Sequence, residues 1–195
     1  MKKEITHNDI IELDSYIKNR KDIKSKISKI KSKRRIPVGP HATFYFESYD
    51  TMLFQIQEMI YIERGGKEQL DDELKAYNPL VPKGKELVST LMFEIPDEDK
   101  RKIFLNKIGG IENKIFIQVG NSKKIYAKPE GDTDRTNQEG KASSVHFVHF
   151  YFEENLIEKF KEKDSKVLIG FDHENYEHLS FLSSETIEIL CKDFD

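Results

Sequence analysis

Glu58 sits in the stretch DTMLFQIQEMIYIER at 50–64, which is apolar around most of a helical circumference. At 100° per residue, Met52, Leu53, Ile56, Met59 and Ile60 share one face, with Glu63 in its middle. Glu58 falls on the other side, between Phe54 and Ile62 and near Gln55, so partial burial on both sides is expected. A carboxylate held there needs a partner. That partner is a metal or substrate in one reading, and Arg64 or a basic-block lysine in the other. His146 and His149 have H-x-x-H spacing within SSVHFVHFYF at 143–152, the strongest strand signal in the chain. Alternation puts His146 with Val148, Phe150 and Phe152, and His149 with Val145, Phe147 and Tyr151 on the opposite face. The two cannot chelate one metal from a regular strand, and a histidine among aromatics is by default a core residue. Asp172-His173 ends the apolar run 167–171, where strand ends can border a crevice. A loop holding Arg135, Thr136, Lys141, Ser143 and Ser144 offers groups for a phosphate or carboxylate.

Other chemistries are absent. The one cysteine, Cys191, excludes a disulfide framework, a cysteine zinc site and an iron–sulfur cluster held by this chain, and its neighbours Ile187 and Leu190 suit packing. No P-loop, dinucleotide fingerprint or Ser-His-Asp context occurs.

The elements that would position these residues follow from periodicity and punctuation. Thr6 opens a helix over 7–18 that continues, or is followed by another, to 33. Pro37, Gly39 and Pro40 predict a loop, ATFYFE at 42–47 a strand, 50–64 a helix ended by Gly65-Gly66, and 67–77 a further helix. Residues 86–95 predict a strand, and Pro96 the first position of a helix closed by Gly109-Gly110. Segments 114–119 and 123–128 predict a hairpin across Gly120-Asn121. A polar loop over 129–142 follows, then strand 143–152, helix 153–163, strand 166–172 and a terminal helix from Ser184. Strand 143–152, its helix and strand 166–172 suggest a crossover unit with the two strands parallel. The class expected is α+β: one domain, 1–195, with a mainly antiparallel mixed sheet of about six strands, helices packed on it and a helical N-terminus. A basic segment, 6–35, precedes the α+β body, 42–195.

Charge is unevenly spread. Residues 1–35 hold twelve Lys or Arg against five Asp or Glu, although the whole chain carries −3. Between Lys18 and Arg35 the only acid is Asp22, and Ile23, Ile27 and Ile30 recur at helical spacing. The plainest reading is a helix with one buried stripe and a solvated lysine face. Docking of an acidic protein comes next. Nucleic acid is disfavoured, because no aromatic interleaves with the basic residues. No apolar run exceeds four residues, Met59 to Ile62, so no membrane span is expected. The opening MKKEITHND lacks the apolar stretch of a secretory signal, and a cytoplasmic location is the expectation.

Several segments together carry a resemblance: GPHATF at 39–44, QIQEM at 55–59, YNPLVP at 77–82, ELVSTLMFEIPDE at 86–98, RTNQEGKASSVHF at 135–147 and DHENY at 172–176. The sequence resembles the bacterial family catalogued as domain of unknown function 3501, from about Thr6 to the C-terminus. That family carries no established activity. Its members are similar to proteins encoded beside rubrerythrin-like di-iron proteins and iron–sulfur oxidoreductase subunits, which implies a link to peroxide defence or electron transfer. His41 falls in a resembling segment and joins Glu58, His146, Asp172 and His173 as a candidate ligand for a divalent metal. His149 departs from the pattern, where a basic Arg is expected, and that argues against a special role for it. Three functions compete: an accessory or ligand-binding protein of a redox or stress module, a metal-dependent enzyme with carboxylate and histidine ligands, and a nucleic-acid-binding regulator acting through 18–35. The first is favoured.

Overall fold

A computed structural model describes residues 2–131, 136–137 and 140–195. After a 3-10 turn at His7–Asp9, the basic segment forms one continuous helix, α1 (Leu13–Lys33), which buries Tyr16 and Ile27. Strands β1 (Arg35–Val38) and β2 (Ala42–Phe46) follow, then helices α2 (Tyr49–Glu63) and α3 (Gly66–Tyr77). Next come β3 (Glu86–Phe93), α4 (Glu98–Lys107), β4 (Ile115–Val119), and the short strands β5 (Ile125–Tyr126) and β6 (Lys128–Pro129). The chain ends with β7 (Val145–Tyr151), α5 (Glu154–Lys161), β8 (Val167–Phe171), β9 (Leu179–Phe181) and α6 (Ser184–Leu190).

The class is α+β, but the strands divide into two sheets, β1-β2-β3-β7-β6 and β5-β4-β8-β9. Every strand pair in both is antiparallel. β7 and β8 lie in different sheets, so the parallel crossover unit expected across α5 does not form. The α5 connection carries the chain from one layer to the other. Pro37 does not break the chain into a loop either. It sits in β1, an edge strand, where its missing N–H costs no ladder bond. Pro96 precedes α4 rather than opening it, because Asp97 caps the helix by accepting from Lys100 N.

The inner face of the five-stranded sheet carries Phe44, Phe46, Leu91, Phe93 and Phe150. They pack with Ile117, Val167, Ile169 and Phe171 of the second sheet, and with Leu105, Ile157, Phe160 and Leu190 from three helices. At about 1.5–3 kcal/mol per fully buried large apolar side chain, this cluster is the main source of stability. Gly39 makes a tight turn between β1 and β2. Its φ is +68°, and a Cβ there would meet the His178 ring at 2.6 Å and the Tyr176 hydroxyl at 2.8 Å. That hydroxyl accepts from the backbone N–H groups of His41 and Ala42 and donates to Val38 O, tying the β1–β2 turn to the second sheet.

The outer face of the five-stranded sheet lies under α1, α2 and α3. Met52 and Ile56 of α2, Leu74 of α3, Leu80, Val81, Val88 and Ile5 form a second cluster there. Two amide side chains hold the N-terminal strap over it. Asn78 accepts from Ile5 N at 2.7 Å and donates to Ile5 O at 2.9 Å, and Gln57 does the same for Ile11 at 2.9 and 3.0 Å. Each amide imitates a neighbouring strand for one residue.

Candidate functional site

Register places Tyr45, Thr90 and Phe147 side by side on β2, β3 and β7, with Met92 opposite Val145 one step further along. All five project from the outer face, where the helices do not seal them. A cavity of about 300 Å³ remains between this part of the sheet and Met52, Gln55, Tyr77 and Lys31 from the three helices. Its walls are mainly apolar, with Leu80, Met52, Met92, Val145 and Phe147, and a few polar groups converge in it. That is the usual make-up of a small-molecule site, at the lower end of the usual size of roughly 300–1,000 Å³.

Glu47, the residue after β2, is the acid that lines the cavity. Its residue is 6% exposed. Thr51 Oγ1 donates to one carboxylate oxygen at 2.6 Å and Thr90 Oγ1 to the other at 2.7 Å. Among the described residues it forms no ion pair. Fold context explains the position: Thr51 belongs to the first turn of α2, capped by Ser48, and Thr90 comes from the adjacent strand. Beside Tyr45, Glu94 accepts from Thr43 Oγ1 at 2.5 Å and Tyr45 OH at 2.9 Å, and Arg35 lies 3.4 Å away. The Thr43 hydroxyl leads in holding the Glu94 carboxyl below its usual range, with Tyr45 and Arg35 assisting against burial. This network fixes the Tyr45 ring over which the Arg35 guanidinium lies. At the end of α3, burial pushes the Tyr77 hydroxyl pKa up, against a contact with Gln55.

The residues singled out from the sequence go elsewhere. Glu58 is held by its own fold: Arg20 Nε and an Arg20 terminal nitrogen bind its two oxygens at 2.7 Å each, and Tyr16 OH donates at 2.6 Å. Arg20 leads in lowering the Glu58 pKa, burial opposes, and Tyr16 assists. The partner is thus an arginine of the basic block, neither Arg64 nor a lysine. His146 is fully buried, bonds Ser143 O at 2.8 Å and meets Phe93 edge-on. Asp172 pairs with Lys124 at 2.6 Å and Tyr126 OH at 2.5 Å. Burial works against its charge, but Lys124 and Tyr126 outweigh that and keep its pKa low. His173 sits in a turn, with Nε2 at 3.2 Å from Gly109 O and Nδ1 accepting from Asn175 N. His41 stacks edge-on with Phe104. These five do not converge, and among the described residues no three His, Cys, Asp or Glu side chains are grouped to hold a metal ion. In the loop, Ser143 Oγ accepts from Val145 N, Ser144 O accepts from Phe93 N, and Lys141 N donates to Asn137. Arg135 lies outside the described residues.

His149 is the residue that sequence reasoning set aside and the fold singles out. As alternation predicts, it faces away from His146 and onto the outer sheet face. It is 6% exposed, with Nδ1 at 2.9 Å from Glu86 and Nε2 at 2.7 Å from Glu130. The two carboxylates approach opposite edges of one ring, so they bracket the imidazole rather than share an ion with it. Glu47 was also missed. The signal available for it was alternation: Thr43, Tyr45 and Glu47 share a face, and an acid ending an aromatic strand breaks the pattern of that face.

The fold and cavity define a two-sheet α+β protein with a recessed, acid-lined pocket on the outer face of its larger sheet. The chain belongs to the family DUF3501, described as a protein of unknown function, whose profile matches residues 4–194. It is similar to a crystal structure of a protein of unknown function from Burkholderia pseudomallei K96243, with 30% identity, a TM-score of 0.91, and 98% of this chain and 99% of that chain covered. No curated protein matches it. No helix among the described residues is long and apolar enough to cross a membrane.

Proposed function

We propose that this protein is an accessory protein that binds a small molecule in the pocket above Tyr45, Thr90 and Phe147. One observation carries the reading: a buried carboxylate, Glu47, faces an open cavity with no cation bound to it among the described residues. Burying such a group for stability alone is unfavourable. It is in keeping with a site whose missing partner is a ligand. The resemblance to proteins encoded beside di-iron and iron–sulfur partners supports a place in a redox or peroxide-stress module, in the cytoplasm.

Ligand-observed NMR of the full chain against a fragment set tests the pocket. Val145→Trp, which fills the cavity from the half-buried start of β7, serves as the blocked form. Fragments that bind the native chain and lose binding in the variant are expected. Fragments that bind both forms equally would overturn the assignment.

A further inference from the structure

We propose that the ligand is a small zwitterion, with an ammonium group seated on Glu47, an apolar body along Met52, Met92 and Phe147, and an acid group at Lys31. This rests on the pocket reading above and names its ligand class. A carboxylate offers about four lone-pair positions. Thr51 and Thr90 occupy two of Glu47's, one on each oxygen, so both oxygens keep capacity for an incoming N–H. Both threonines are neutral donors, which orient the carboxylate without neutralising it. An ammonium supplies the donors and the charge together, and in a partly desolvated recess such a charge-assisted bond is about twice as strong as a neutral one.

Lys31 supplies the second half of the argument. It lines the same cavity from α1, half-buried, with its ammonium 5.7 Å from the centre of the Phe54 ring. Among the described residues it forms no ion pair. A simple monocation would gain the buried Glu47 and be repelled by the half-exposed, better solvated Lys31, whereas a simple anion would be repelled by the buried charge and gain only the solvated one, the weaker of the two. A molecule bearing both charges, separated by an apolar stretch, satisfies both side chains and lays its apolar part against Met52, Met92 and Phe147, which line the same cavity. ω-Amino acids are the members of this class that fit a cavity of about 300 Å³.

Calorimetric titration at pH 7 with four probes of one chain length separates the possibilities: 6-aminohexanoate, hexylamine, hexanoate and hexan-1-ol. The expected order is aminohexanoate first, hexylamine second, and the other two at least tenfold weaker than hexylamine. Glu47→Gln should weaken aminohexanoate at least tenfold. Lys31→Gln, at a half-exposed helical site that leaves the fold untouched, should bring aminohexanoate down to the level of hexylamine and keeps the test sound if the Glu47 variant folds poorly. Hexanol or hexanoate binding as well as the amines, with all binding lost in Val145→Trp, would overturn the zwitterion and leave the pocket standing. Binding of no probe to the native chain, or equal binding to the blocked variant, would overturn both.

Discussion

His149 reaches Glu130 with Nε2 at 2.7 Å, and this contact fastens the short edge strand β6 to β7 beside the pocket wall. On the ring's other side Nδ1 meets Glu86 of β3 at 2.9 Å. A neutral imidazole has one N–H, so only the imidazolium can donate to both carboxylates at once. Burial works against that charge, but Glu86 and Glu130 outweigh it, and the pKa of His149 is raised above the ordinary value. The protonated ring is therefore the form that closes the bracket.

Stability should follow that proton. A histidine whose folded pKa is raised contributes stability that is fully present below its unfolded value, near 6.5, and is lost as pH rises through the folded value. The thermal midpoint of the native chain should therefore fall above pH 6.5 by an increment that His149→Gln lacks. Unfolding curves at half-unit pH steps check this. Parallel pH profiles for the two proteins would contradict it.

Arg34 should be the costliest single charge to remove. It is the one basic residue of the block that is fully buried, and its guanidinium binds Phe46 O at 2.9 Å, Glu47 O at 2.8 Å and the Asp193 carboxylate. Burial pushes the Asp193 carboxyl up to about 6, against the pull of Arg34. Arg34→Met leaves that carboxylate without its counter-charge, and a loss of about 3–5 kcal/mol is expected in urea unfolding at pH 7. Without the guanidinium the Asp193 pKa rises further. More stability is then lost as pH increases through it, so the gap between variant and native should widen from pH 5 to pH 8.

Local pattern carried much of the fold. The faces of β7 were legible because side chains alternate regardless of what the strand pairs with, and Glu58's half-burial was legible from the apolar girth of α2. What failed was non-local. Helix α5 between two apolar strands fits a parallel crossover as well as a change of sheet, and it is the pairing of β8 with β4, about fifty residues earlier in the chain, that makes it the latter. The pocket and the histidine bracket failed for the same reason: Thr90 lies 43 residues from Glu47, and His149 lies 63 from Glu86 and 19 from Glu130, and nothing in one neighbourhood announces the other. Arg20 is 38 residues from Glu58, so the charge block showed that a cation was available but not which one.

The Arg20–Glu58 pair should behave as a structural tie. Its side chains are 31% and 12% exposed, between a surface pair and a fully buried one. Glu58→Gln should cost about 1–2 kcal/mol, below the 3–5 of a buried break and above the 0–1 of a surface pair. Arg20→Gln should cost a similar amount, and the double variant should cost less than the two losses added. Added divalent metal should change none of these values. A metal-dependent shift for the native chain that disappears in Glu58→Gln would reassign the residue.

Gly39→Ala tests how firmly the β1–β2 turn is held. A non-glycine residue at φ +68° costs about 1–2 kcal/mol by itself. The added Cβ would also press on the His178 ring and the Tyr176 hydroxyl, both closer than 3 Å, so a total loss of about 2–4 kcal/mol is expected. Tyr176→Phe removes the same tie from the other side. It leaves the N–H groups of His41 and Ala42 and the carbonyl of Val38 without that hydroxyl, and should cost about 2–3 kcal/mol. Because both changes loosen one contact, their double variant should be less destabilised than the two losses added. Strict additivity in chemical unfolding would mean that the turn is held by its own strands and that the Tyr176 hydroxyl is incidental to it.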